Sequence, residues 1–538
     1  MGRMRAAVPS DASGSDAPTI DLLIRPTGEL TVKGPRTVPV FLRALRSAVR
    51  DALKRAGLRP RVRLAHRRLE VRIPVPDGGV DAARHLAREA LARVFGVGSF
   101  SFVTASSRAD LDEIVAMATR HARDRVRGRR YAVRCRRAGR HPFRSTDVER
   151  AVGAALNDGA TVDLDDPDEV VHLQVVDRRA LLHGPRIAGA GGLPVGTGGR
   201  ALVLLSGGYD SVVAAWALLK RGVAVDLVHF RLAGRSDERR ALQVAKLLSD
   251  RYASGSRPEL HAVDFTDVVA DLRRHGDDGH AQLLLKRRML RAADAVADRL
   301  ERTEAEARAA GRSRHRWARI DALVTGEALA QVSSQTLANL RALDGAAERP
   351  VLRPLLAMDK TEIIERAEAI GTAALSARVR ETCGIAAGRV ETRAEPRRVD
   401  DLEGALDHAL LQRAVQDAVR WPLRSLRAEE LTLPYLQVDR LPDRAVVLEC
   451  SAGPRAAGGG PPGSVHLPVE AIAERRHELD PDRTYVTTCP FGTRSAHAAE
   501  ILQQLGFDAY AFRGGTGALE AHLERRAVEA AQATAPDA

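Results

Sequence analysis

Apolar positions along the chain follow two periods. Short apolar runs at 22–25, 131–135, 201–205, 223–230 and 485–488, with the alternating stretch 69–74, read as strands; segments with apolar residues every three or four positions, at 40–56, 81–94, 108–126 and 211–221, read as helices. Strand, helix and alternating strand between 19 and 80 predict a small α+β unit, and a second unit follows over 81–187. The stretch 189–199, with six glycines and one proline, reads as a linker. Beyond it, strand, helix and strand over 201–230 begin a βαβ pattern, which predicts a doubly wound parallel sheet over 188–396. Residues 301–319, rich in charge and alanine, read as an extended helix or surface excursion. A polar, helical linker is expected over 397–432 and a compact α/β domain over 433–523. The segments 1–18 and 524–538 read as disordered tails.

Composition narrows the function classes. No apolar run reaches the length of a membrane helix and residues 1–18 lack a signal-peptide core, so a cytoplasmic protein without membrane contact is expected. Four cysteines (Cys135, Cys383, Cys450, Cys489) form no CxxC pair, which argues against a zinc site and a disulfide framework; Cys135 and Cys450 sit in strand-like apolar contexts and read as core thiols. The net charge of +13 points to a polyanion. Eleven arginines against one acid between Arg120 and Arg144, with Tyr131 and Phe143 interleaved, make nucleic acid that polyanion. Only six of the 83 basic residues are lysine, so Lys33, Lys286 and Lys360, each inside motif-like text, stand out as positions that need a compact ammonium.

Two segments carry chemistry. The run 201–205 breaks into Ser206-Gly207-Gly208-Tyr209-Asp210-Ser211 and then a helix, offering bare N–H groups at a helix N-terminus to a nucleotide pyrophosphate. The strand 485–488 leads into Cys489-Pro-Phe-Gly-Thr-Arg494-Ser and another helix, so Cys489 meets backbone N–H groups and Arg494, an environment that favours thiolate or persulfide.

These motifs, with GAGGLPVGT (189–197), TGEALAQVSSQTLANLR (325–341), RPLLAMDKTEII (353–364) and RPTGELTVKG (25–34), resemble the tRNA 4-thiouridine synthetase (ThiI) family in its form with a C-terminal rhodanese domain. The resemblance implies a ferredoxin-like α+β unit, a THUMP RNA-binding domain, a PP-loop ATP pyrophosphatase domain and a rhodanese-like domain. It implies ATP with Mg²⁺ over Ser206, Gly207, Gly208, Tyr209, Asp210 and Ser211, with His229, Phe230, Lys286, Arg287, Gly326 and Gln335 as further ATP contacts. Asp210 and Lys360 would serve adenylation of a tRNA uridine at position 8. Cys489, supported by Arg494, would carry a persulfide loaded by a cysteine desulfurase, and Cys383 would close a disulfide on it. Arg134, Arg136, Arg137, Arg140, Phe143 and Arg144 are the expected RNA contacts. The resemblance also admits sulfur supply to a ThiS-like carrier protein for the thiazole of thiamine, and leaves a homodimer open. Two features depart from the family: Glu449-Cys450-Ser451 stands where an Asp-x-Arg is common, and 301–319 is long. The alternatives are a PP-loop small-molecule amidoligase and a noncatalytic tRNA-binding protein.

Overall fold

The computed structural model describes residues 18–65, 67–76, 79–232, 235–275, 279–312, 317–377, 390–427, 431, 436–442, 444–451, 460–490 and 493–533. It divides into two compact units, Met1–Thr197 and Gly198–Ala538.

In the first unit one nine-stranded sheet runs Arg61–Ala65, Arg68–Pro74, Thr19–Pro26, Val97–Arg108, Arg179–His183, Glu169–Val176, Arg130–Ala138, Thr161–Val162, and Ile187–Ala188 pairs with Val97–Arg108. The first four strands in chain order, with helices Val38–Arg55 and Gly79–Leu91, have the β-α-β-β-α-β order of a ferredoxin-like unit. That unit does not end at 80. Helix Gly79–Leu91 buries Ala83, Ala87 and Leu91 in the first core, and strand Val97–Arg108 serves both halves of the sheet. A register shift between Val103 and Ala105 lets this strand keep apolar residues on the helix-bearing face throughout, with Phe100 in the first core and Ala105 against the second. Helices Leu111–Val126 and Ser145–Leu156 cover that second core.

The second unit begins with a six-stranded sheet ordered Val351–Leu352, Ala322–Val324, Arg200–Leu204, Ala224–Arg231, Glu259–Asp264, Val419–Pro422. All neighbours are parallel except the last pair. The chain leaves Arg200–Leu204 in one direction and returns on its other side at Ala322–Val324, which opens a crevice at the carboxyl end of Arg200–Leu204. The expected linker 397–432 is instead part of this domain. Helices Pro396–Gly404 and His408–Gln416 supply Val399, Leu411 and Val415 to its core, and Val419–Pro422 forms the sheet edge. Spaced apolar residues within a polar segment account for that outcome. Residues 301–309 complete the long helix Ala281–Ala309.

A five-stranded parallel sheet follows, ordered Gln437–Val438, Asp508–Phe512, Thr484–Thr488, Val446–Glu449, Val465–His466. Helix Gly515–Ala533 continues through 524–533, so the expected C-terminal tail is helical that far; its alanines and glutamates are strong helix formers.

Candidate functional site

The crevice of the second unit holds the glycine loop. Gly207 takes φ +90°, a conformation that glycine adopts without strain, and after Gly208 as N-cap helix Tyr209–Lys220 starts. Ser206 Oγ lies 3.1 Å from Ser211 Oγ and accepts from Gly208 N–H at 3.3 Å, while Ser211 Oγ donates to Gly208 O at 3.3 Å, so the two hydroxyls brace the turn. Beside it lies a cavity of about 580 Å³. Of the expected ATP contacts, Ser206, Asp210, Ser211, His229, Phe230, Lys286, Gly326 and Gln335 line that cavity.

Charges at the cavity are held in place. Lys360 Nζ donates to both carboxylate oxygens of Asp210 at 2.8 and 3.0 Å and lies 5.7 Å from the centre of the Tyr209 ring. Gln331 Nε2 also donates to Asp210, at 3.1 Å. Lys360 occupies the first turn of helix Lys360–Ile370, whose capping box, Asp359 with Glu362, fixes that start. Lys286 Nζ meets Glu327 at 3.1 Å and Arg353 Nε meets it at 2.8 Å. Burial works to raise the Glu327 carboxyl, but the adjacent Lys286 and Arg353 outweigh it and hold it below the usual range. His229 Nδ1 faces Leu205 O at 2.9 Å, and its buried Nε2 lies 3.9 Å from Asp237, beyond hydrogen-bond reach. Gln335 Oε1 is likewise buried with no partner. Gly326 abuts the loop so closely that a Cβ there would lie 2.6 Å from Asp210 C and Ser211 N. A glycine turn, a helix N-terminus and two unpaired polar atoms in one cleft fit a nucleotide.

Arg287 is not part of this cavity. One position along the helix from Lys286, its side chain is fully buried and binds Glu403 at 2.7 to 2.8 Å, Asp400 and the Ala342 carbonyl. It ties helix Pro396–Gly404 to the long helix. Sequence reading missed Asp237, Gln282, Met289, Ser333 and Ser334 among the lining residues. Gln282, Lys286 and Met289 follow helical spacing, a signal present in the chain.

In the C-terminal domain Cys489 lies buried at the end of strand Thr484–Thr488. Ser495 N–H donates to its Sγ at 3.3 Å, and the Ser495 hydroxyl stands at 3.6 Å. Arg494 does not bond the sulfur. Its Nε donates to Cys450 O at 3.1 Å and its Nη2 pairs with Glu470, bracing the loop from outside. Glu449 accepts from Ser451 N at 3.1 Å and lies 3.5 Å from His466 Nε2, so an acid still anchors this turn. Burial first, then Cys489 and Glu449, push the Cys450 thiol well up; burial pushes Cys135 up to about 12. Both fit core thiols. Cys383 lies outside the described residues.

One helix links the two chemistries. Helix Thr493–Gln504, which follows the cysteine loop, packs against helix Arg235–Tyr252. Asp237 of the latter lines the cavity and is also the leading opposing charge at His497 of the former, whose imidazole burial keeps neutral.

In the first unit Arg134, Arg136, Arg137, Arg140 and Arg144 are exposed. Phe143 is not available for base stacking: it is buried in the second core, with His141 stacked on it at 5.4 Å. Arg130 is spent on Asp163, Asp166 and Asp168, and Arg125 on Glu169.

Comparison with known proteins agrees with this organisation. The family models that match are "Thiamine biosynthesis protein (ThiI)" over 196–408, "THUMP domain" over 108–183 and "Rhodanese-like domain" over 455–522. A tRNA sulfurtransferase of Desulfurococcus amylolyticus is 34% identical over 507 residues, 94% of this chain and 99% of the relative. One of Azotobacter vinelandii is 35% identical over 498 residues, 90% of this chain and 97% of the relative. Among solved structures, a 4-thiouridine synthetase in complex with RNA and with bound ATP matches with a TM-score of 0.60 at 27% identity, covering 75% of this chain and 99% of that one.

Proposed function

This chain belongs to the tRNA sulfurtransferase family, and from that premise we propose that it uses ATP to replace the C4 oxygen of uridine 8 in tRNA with sulfur, giving 4-thiouridine. The observation that carries the reading is the shared helix Arg235–Tyr252, whose Asp237 lines the nucleotide cavity and which packs against the cysteine helix.

The uridine oxygen is a poor leaving group and must be activated. The N–H groups of the 206–211 loop would hold the phosphates of ATP, and Asp210 would hold the Mg²⁺ that accompanies them, which would offset their negative charge. The uridine O4 attacks the α-phosphorus, pyrophosphate leaves, and Lys360 and Lys286 supply positive charge where negative charge builds. His229 Nε2 and the Gln335 amide, unpartnered in the cavity wall, would contact base or ribose.

Sulfur follows through Cys489. A desulfurase persulfide passes its outer sulfur to the Cys489 thiolate, and the desulfurase thiolate departs. The terminal sulfur of Cys489 attacks C4 and AMP leaves. The Cys383 thiolate then attacks the Cys489 sulfur, the S–S bond to the nucleoside breaks, and a Cys383–Cys489 disulfide forms together with 4-thiouridine. A dithiol reductant resets the pair. The Ser495 N–H at the helix start stabilises the sulfur anion at each stage. Delivery of sulfur to a small carrier protein would use the same Cys489.

Asp210→Ala tests the division of labour. It should lose tRNA-dependent AMP formation while Cys489 still accepts a persulfide. A variant that adenylates normally would remove the loop from the mechanism.

A further inference from the structure

Strand alternation sorts the first unit's sheet into two faces. Ile24, Leu69, Phe100, Leu182, Leu173 and Cys135 turn toward the helices and fill the two cores. The register pairs Leu23 with Glu70 and Ser101, Val103 with His183, His183 with His172, and Gln174 with Arg136. Arg25, Arg68, Ser101, His172, His183 and Arg136 therefore share the opposite face. The sheet curls, so that Leu23, Arg68, Ala138 and Gln174 line one cavity of about 340 Å³.

Arg25 lies on this same face beside the cavity, its side chain nearly covered at 9% exposure. Its Nη1 donates to Ser101 Oγ at 3.0 Å and its Nη2 meets His183 Nε2 at 3.1 Å, while its buried Nε has no partner. The His172 and His183 rings stack at 5.4 Å. Glu70, the carboxylate lining the cavity, is already bound by Arg63 at 2.8 Å and Arg179 at 3.3 Å. Burial first, then Arg186, Arg68 and Arg136, lower Arg25 to about 10; like charges that weaken one another destabilise the fold until an anion joins them.

We propose that this concave face is a phosphate site: it takes a backbone phosphate of the bound RNA on Arg25, with Arg68, Arg136 and Arg186 around it. The proposal rests on the tRNA reading and extends it. Arg134 and Arg136 continue the same face into the exposed arginine cluster, so a strand held there runs on without a break in positive charge. The unpaired Nε–H of Arg25 is the donor a phosphate oxygen would complete.

The test is the salt dependence of tRNA affinity for the full chain. Arg136 and Arg186 are exposed, so Arg136→Gln and Arg186→Gln should fold normally. Each should weaken binding about five- to tenfold and reduce the slope of log K against log salt by about one. Arg130→Gln, whose guanidinium is occupied by aspartates, should leave the slope unchanged. Inorganic phosphate should raise the Tm of the wild type and not of Arg25→Met. Unchanged slopes in both rim variants would overturn the proposal. Phosphate stabilisation with unchanged slopes would mean a free-anion site and also defeat the RNA assignment. A wild type that fails to bind tRNA would instead defeat the functional reading itself.

Discussion

Gly326→Ala adds one methyl group where the cavity wall meets the nucleotide loop. Its Cβ would stand 2.6 Å from Asp210 C and Ser211 N and 2.8 Å from Asp210 O, against the 3.4 Å at which ordinary contact begins, so about 0.8 Å must be taken up. All three atoms are backbone at the start of helix Tyr209–Lys220, and none can swing aside as a side-chain tip would. The displacement falls on Asp210 and Ser211, the residues that meet Lys360 and Ser206. Overpacking of this kind costs about 1–3 kcal/mol of stability. A shift approaching 1 Å in a positioned group costs about a hundredfold in rate. The assay is tRNA-dependent AMP release, with persulfide loading of Cys489 and tRNA affinity measured on the same preparation. AMP release should fall about a hundredfold while the other two hold. Gly345→Ala is the matched control, because its Cβ would meet the nearest atom, Arg287 Nη1, at an ordinary 3.6 Å. Wild-type AMP release by folded Gly326→Ala would refute the claim that this loop sets the reaction geometry.

Lys360→Met should lower the rate of AMP formation by about 10²-fold or more and leave Cys489 persulfide intact, whereas Lys360→Arg should restore little, since the planar fork does not reproduce a compact ammonium on Asp210. Arg287→Met should destabilise the second unit by about 1.5–3 kcal/mol in denaturant titration, because Glu403 would lose one buried partner and keep Arg291, with normal kinetics from the folded fraction. His183 gives a pH signature in the first unit. Burial first, aided by Arg25, lowers its imidazole to about 4 from an ordinary 6.5, so the unfolded chain binds the proton more readily. Stability from this group is present above pH 6.5 and is lost as the pH falls toward 4, by up to about 3 kcal/mol. The loss should shrink in His183→Gln, and a pH profile identical to wild type would contradict the assignment.

What the sequence made legible was local. The Ser206–Ser211 loop and the cysteine loop each sit between one strand and one helix, so periodicity and glycine placement alone located both. Arg287 shows where that reading fails: adjacent helix positions point about 100° apart, and only the packing of Pro396–Gly404 against the long helix decides which of Lys286 and Arg287 faces the cavity. Phe143 reads as an RNA contact because it stands among arginines, yet its burial depends on the tertiary core. The basic concave face was invisible for a related reason. Arg25, Ser101, His172 and His183 are scattered over 158 residues and meet only through the register of four strands.

ATP-dependent sulfur transfer is read out by nucleoside mass spectrometry on unmodified tRNA incubated with the full chain, ATP, Mg²⁺, cysteine and a cysteine desulfurase, run beside Cys489→Ser and an ATP-free reaction. 4-Thiouridine at position 8 should form with the wild type alone and only when ATP is present. Thiolation that persists without ATP, or multiple turnovers by Cys489→Ser, would contradict this mechanism.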